Sequence, residues 1–120
     1  MPNKDSHLTQ ARHNAAFYQS IDIQKYSDWG ATVLFYTGLS YVDAFLATHG
    51  IHPATHAKRN GYIHRINVLR RISSHYSALK SSSETARYFP PAMFSVQHLQ
   101  NLEQTHLEQI RNTLRQYLPI

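Results

Sequence analysis

Apolar residues recur at helical spacing along most of the chain. Leu8, Ala11, Ala15, Tyr18 and Ile21 fall three or four positions apart, which predicts an amphipathic helix over about Ser6 to Gln24. From Ser27 the pattern changes. Trp29, Val33, Leu34, Phe35, Leu39, Val42, Phe45 and Leu46 cover most of a helical circumference, so a second, central and largely buried helix is expected, ending at Gly50. Ser27 is its predicted N-cap, and Asp28 favours the helix dipole in the first turn. His52-Pro53 opens a third helix, because proline at the first helical position needs no amide donor. This helix is expected to reach about Ile72, with Tyr62, Ile66, Leu69 and Ile72 toward the core.

Ser73-Ser74 marks a kink or interruption before a short helical stretch near His75 to Lys80. Ser81 to Ser83 and Phe89-Pro90-Pro91 read as a polar loop and a hard stop. Ser95 caps a fourth helix, with Phe94 and Leu99 at the positions of a hydrophobic staple. Val96, Leu99, Leu102, Leu107, Ile110, Leu114 and Tyr117 form its apolar face. The expected fold is all-α: a four-helix up-and-down bundle, with the His75 to Lys80 stretch as a short extra helix between the third and fourth.

A chain of 120 residues, 42% hydrophobic, fits one domain with a packed core, residues 1–120, and argues against wholesale disorder. The absence of cysteine excludes a disulfide framework and a thiolate metal site. The most apolar stretch, Ala31 to Ala47, is interrupted by Thr32, Thr37, Ser40 and Asp43. It reads as a buried helix, with no membrane partner. No export signal is evident, so a cytosolic location is expected.

Charge changes the picture more. The net charge is +5, with nine histidines besides, and no acidic residue lies between Asp43 and Glu84. That interval holds Lys58, Arg59, Arg65, Arg70, Arg71 and Lys80. A one-signed block suits an anionic partner such as RNA, DNA, a nucleotide or an acidic protein; the plainer alternative is a solvated surface. On one continuous third helix, His56, Asn60, His64, Asn67 and Arg71 share a stripe about 80° wide, with Arg59 and Arg70 at its edge. Lys58 and Arg65 fall toward the apolar side and must snorkel. An imidazole can take a ribose 2′-hydroxyl proton, and a guanidinium can stabilise charge on a phosphorane, without any metal. His49, His52 and His56 read as incidental polar histidines rather than metal ligands. Glu103 and His106 form a single Glu-x-x-His, too few acids for a di-iron site. Either Glu103 or Asp43 is a candidate acid partner for Arg59 or Arg71.

Phe35-Tyr36, Ala44-Phe45-Leu46 and Gly50-Ile51-His52-Pro53-Ala54-Thr55-His56 resemble the helix 2 to helix 3 segment of HEPN domains. Tyr76-Ser77-Ala78-Leu79 and Ala86-Arg87-Tyr88-Phe89-Pro90 resemble the stretch before the last long helix of those domains, with Arg87 where they usually carry Asp. The resemblance implies a four- to five-helix bundle that dimerises, working either as a metal-independent ribonuclease or toxin, or as a nucleotide- or protein-binding module. Arg59 to His64 matches the Arg-polar-…-His pattern of active members, although here it lies earlier in the chain. By that resemblance Arg59 and His64 are the catalytic candidates, with Asn60 orienting them. His56, Asn67, Arg70, Arg71, Lys58 and Arg87 are binding candidates. Implied partners are RNA or a nucleotide, a second copy of the chain, and an antitoxin or nucleotidyltransferase; no cofactor and no metal are implied.

Overall fold

The computed structural model describes all 120 residues. Its elements are α1 (Lys4–Ser20), α2 (Ser27–Ala47), α3 (His56–Arg65), α4 (Asn67–Arg70), α5 (Ser73–Tyr88), α6 (Val96–Asn101) and α7 (Glu108–Leu114). A π-helical segment, Leu102–Leu107, joins α6 to α7 without a break. No strand is present, and the helices surround one core cluster of 22 buried residues. The molecule is a helical bundle whose long members are α1, α2, α5 and the α6–α7 rod.

Asn3 caps α1 by accepting the Ser6 N–H at 2.9 Å. The helix stops at Ser20 rather than near Gln24, because Asp22 accepts the Gln24 N–H at 2.9 Å and turns the chain. Helix α2 packs against α1, α5 and the α6–α7 rod, as its all-round apolar character predicts. Gly38 sits where these elements cross: a Cβ there would lie 3.2 Å from Leu79 Cδ1 and 3.5 Å from Leu107 and Ile110. Helix α2 is long and apolar enough to cross a membrane, but 78% of its most apolar window is buried among its neighbours. Ser27 does not act as the cap. It is the first helical residue, and its Oγ accepts the backbone N–H of Phe94 at 3.0 Å. Trp29, expected in the core, is 58% exposed. It stands in the first turn beside Phe17, Ile21 and Tyr26, on the outer side of the α1–α2 pair.

The predicted third helix is broken in two. Residues 51–55 are not helical; Thr55 caps α3 by accepting the Lys58 N–H at 3.1 Å, so Pro53 precedes the helix instead of opening it. At Ile66 the backbone turns extended (φ −87°, ψ 122°), and α4 starts in a new direction. The apolar spacing explains the break. Ile63, Ile66, Leu69 and Ile72 recur every three residues, and each such step drifts about 60° round an α-helix. On one straight helix Ile72 would oppose Ile63; the break returns Leu69 and Ile72 to the core, where both are buried. The stripe that joined His56 to Arg71 therefore does not exist as one surface, since Asn67 and Arg71 lie beyond the break.

The stretch expected as a minor extra helix is the 16-residue α5, a main member of the bundle. Its serines were expected to form a loop. Instead Ser82 meets His98 Nε2 of α6 at 3.0 Å, and Ser83 accepts from Arg87 Nε one turn on in the same helix at 3.1 Å, so a tertiary contact and an intrahelical one hold residues of modest propensity in a helix. Ser95 caps α6 as expected, accepting the His98 N–H at 3.0 Å.

Phe45 is 2% exposed at the centre of this arrangement. Phe45→Asp would bury an unpaired carboxylate and is expected to cost several kcal/mol, on the order of 3–5. Chemical denaturation followed by circular dichroism measures it; a midpoint equal to that of the parent would refute this placement of the core.

Candidate functional site: a cationic pit between α3 and α5

Helix α2 carries one acid deep in its apolar run. Asp43 is 6% exposed, and an ionised carboxylate at such a position needs a partner. Arg59, itself 8% exposed on α3, supplies it bidentately: Nε reaches Asp43 Oδ1 at 2.7 Å and Nη2 reaches Oδ2 at 3.0 Å. Burial alone would lower the Arg59 pKa, but the hydrogen bonds and charge of Asp43 raise it above the usual guanidinium value. The Tyr76 hydroxyl is buried nearby without a hydrogen bond. That burial pushes its pKa well above the ordinary phenol value, so it stays protonated.

The third edge of Arg59 points at His56, with Nη1 3.3 Å from Nδ1. A guanidinium only donates, so His56 Nδ1 accepts and the neutral ring carries its proton on Nε2. Partial burial lowers the His56 pKa, and the charges of Arg59, Arg87 and Lys80 lower it further against the opposing pull of Asp43. The imidazole is held neutral, in one tautomer.

Arg87, on the last turn of α5, is fixed from several sides. Its Nε donates to Ser83, and Nη1 donates to Tyr36 Oη at 3.0 Å and, more weakly, to Tyr88 Oη at 3.4 Å. The guanidinium lies 5.0–6.0 Å from the ring centres of Phe35, Tyr36 and Tyr88, within cation–π range. Its Nη2 makes no hydrogen bond within the protein, and no carboxylate lies within ion-pair distance of it. One turn earlier, Lys80 and Glu84 form an i,i+4 pair at 2.7 Å. His56, Lys80, Glu84, Arg87 and Tyr88 together line a depression of about 100 Å³.

This pit adjoins an aromatic surface. Arg87 also borders a second depression, about 230 Å³, whose other walls are Asp28, Trp29, Thr32 and Ala86. Trp29, Tyr36 and Asp43 then continue into the largest groove, about 640 Å³ over α1 and α2.

The structure groups the residues singled out in the sequence in two places: His56 with Arg59 and Arg87, and His64 with Asn60. Arg59 and His64 are five positions apart on α3, about 140° round the helix. Arg59 points inward to Asp43, whereas exposed His64 shares a depression of about 120 Å³ with Asn60, Ser73, Tyr76 and Lys80. Lys58, Arg70 and Arg71 are exposed, and Asn67 accepts from Arg70 at 2.8 Å. Arg65 snorkels as expected, 4.9 Å over the Tyr62 ring. Of the two candidate acids, Asp43 is the partner of Arg59; Glu103 instead accepts from Gln19 at 3.0 Å. No group of three or more His, Asp or Glu residues is arranged to hold a metal.

Glu84 is the wall residue not singled out from the sequence; Lys80 figured there only in the basic block, Tyr36 only in a family motif, and Tyr88 only as the neighbour of Arg87. The signal was present in the spacing of Lys80, Glu84 and Arg87, which share one helical face, but the serines between them were read as a loop. Compared with protein-family models, curated proteins and solved structures, the chain matches none of them significantly.

Two outcomes are expected. Asp43→Ala strands a buried guanidinium and should lower the unfolding free energy by about 3–5 kcal/mol in a denaturant titration; an unchanged value would mean the pair is not buried in solution. Acid should also destabilise the fold. The pKa values of His7, His56 and His106 are all lowered from 6.5, in each case chiefly by burial. The unfolded chain therefore takes up protons first, and stability present above pH 6.5 is lost as pH falls below it. Melting temperatures from pH 8 to about pH 5 test this; a flat profile would contradict it.

Proposed function

We propose that this chain is a HEPN-like domain that binds RNA by holding a phosphate at the Arg87 pit, with Arg59 serving as a structural cation. The observation that carries this reading is the state of Arg87: clamped by Ser83 and Tyr36, in no ion pair with the nearby Glu84 or Asp28, and with Nη2 unbonded. A preorganised guanidinium edge suits a phosphate oxygen. His56 adds a neutral Nε2–H donor, and Lys80 adds an ammonium that can leave Glu84. Exposed Trp29, across Arg87 from the pit, offers a face on which an unpaired base can stack. Exposed Lys58, Arg65, Arg70 and Arg71 extend the positive field along α3 and α4. A nucleotide presents the same chemistry on a smaller scale. The HEPN resemblance extends the proposal to a cytosolic homodimer, and to a protein partner of the antitoxin or nucleotidyltransferase kind.

A second reading, a metal-independent ribonuclease, draws on His64 and Asn60 lying in one depression with Lys80. In it His64 is the general base. Because Arg59 is committed to Asp43, the charge on the phosphorane falls to Lys80.

Fluorescence anisotropy with a labelled single-stranded RNA tests the binding reading. Parent affinity should fall steeply between low and moderate salt. Arg87→Ala should weaken binding on the order of tenfold, the loss of one charge-assisted contact, while Glu84→Gln should strengthen it by freeing Lys80. Equal affinities for parent and Arg87→Ala would refute the pit as the binding site. Cleavage of the same RNA by the parent, lost in His64→Ala and insensitive to chelators, would establish the ribonuclease reading; an inert parent would end it.

A further inference from the structure

His75 and Lys80, Glu84 and Arg87 occupy different sides of α5: the last three lie about 120–180° round the helix from His75. His75 instead faces the α6–α7 rod, where His106 stands in the π-helical segment. The two Nδ1 atoms are 3.0 Å apart, with ring planes at 47° and ring centres 5.3 Å apart. Imidazole nitrogens bound to one metal ion at about 2.0–2.1 Å lie about 2.9 Å apart at a right angle, and about 3.3 Å apart at the tetrahedral angle. The observed separation falls close to the right-angle value.

A second observation concerns the other nitrogen of His106. Its Nε2 lies 3.4 Å from the side-chain amide of Asn101. Residues five apart on an α-helix point about 140° away from each other; the wider π turn is what brings Asn101 and His106 to one side. A metal-bound histidine commonly donates its remote N–H to a carbonyl, and Asn101 can supply one through Oδ1 if its amide is turned.

We infer that His75 and His106 form a two-imidazole site for a divalent first-row transition metal, Ni²⁺ or Cu²⁺, whose remaining positions are taken by water. A 3.0 Å separation, nearer the right-angle value than the tetrahedral one, suits these tetragonal ions better than tetrahedral Zn²⁺. Without a metal, the same pair is a single hydrogen bond in which one Nδ1 carries the proton. The site stands on its own geometry and does not depend on RNA binding.

Untagged protein stripped with EDTA and titrated with NiCl₂ by calorimetry and thermal shift provides the test. The inference expects one equivalent bound and a raised melting temperature that EDTA reverses. His75→Gln and His106→Gln should each lose both responses, whereas His13→Gln, at an exposed position on α1, should keep them. One equivalent of Cu²⁺ on the parent should give an electron paramagnetic resonance spectrum with hyperfine structure from two nitrogens, a readout that needs no variant. Absence of one-to-one binding by the parent, or retention of it in both α5 and π-segment variants, would overturn the site.

Discussion

The buried ion pair between Asp43 and Arg59 is the constraint that seats α3 against the core of this bundle. Helix α3 has only two buried residues, Arg59 and Ile63, so the charge pair and one isoleucine, helped by partly buried Tyr62, fasten it to the rest of the molecule. The pair is demanding. Each ion loses several kcal/mol of hydration on burial, and only close, bidentate contact compensates. Once formed, it fixes the position of α3 on α2, points Nη1 at His56, and leaves that imidazole neutral with its proton on Nε2. One interaction thus sets the orientation of α3 and the chemistry of its first residue.

Arginine serves two opposite purposes within a few ångströms of the same aromatic cluster. Arg59 is neutralised by a carboxylate and gives up its donors to structure. Arg87 is held by hydroxyls and π faces, which orient a guanidinium without cancelling its charge. The difference decides which of the two can meet an anion. Charge counting along the sequence ranks them alike; only their partners separate them.

Much of the bundle was legible from periodicity. The all-round apolar character of Trp29 to Leu46 identified the central helix, and Ser95 with Val96, Leu99 and Leu102 identified the start of the last one. The errors have specific physical origins. Trp29 is apolar but lies in a first turn that no neighbour covers. The expected core face of one straight helix was Tyr62, Ile66, Leu69 and Ile72, whereas the buried residues are Ile63, Leu69 and Ile72, whose multiples of three drift round a helix and require the break at Ile66. Ser81 to Ser83 looked like loop because propensity was weighed without the contacts to His98 and Arg87 that hold them. Losing those serines from the helix also hid the Lys80, Glu84 and Arg87 face. The Asp43 partnership was visible as a candidate, since a lone buried acid requires a cation, but sequence alone could not choose between Arg59 and Arg71.

In the proposed reading Arg59 is structural and Arg87 is the anion ligand. Replacing the whole ion pair by apolar residues, Asp43→Leu with Arg59→Met, tests it most directly. Such replacements of buried pairs are often neutral or stabilising. The double variant should unfold near the parent's denaturant midpoint and bind single-stranded RNA with less than a tenfold loss, about 1.4 kcal/mol. A folded double variant that no longer binds RNA would show that Arg59 itself meets the ligand, and would contradict the account.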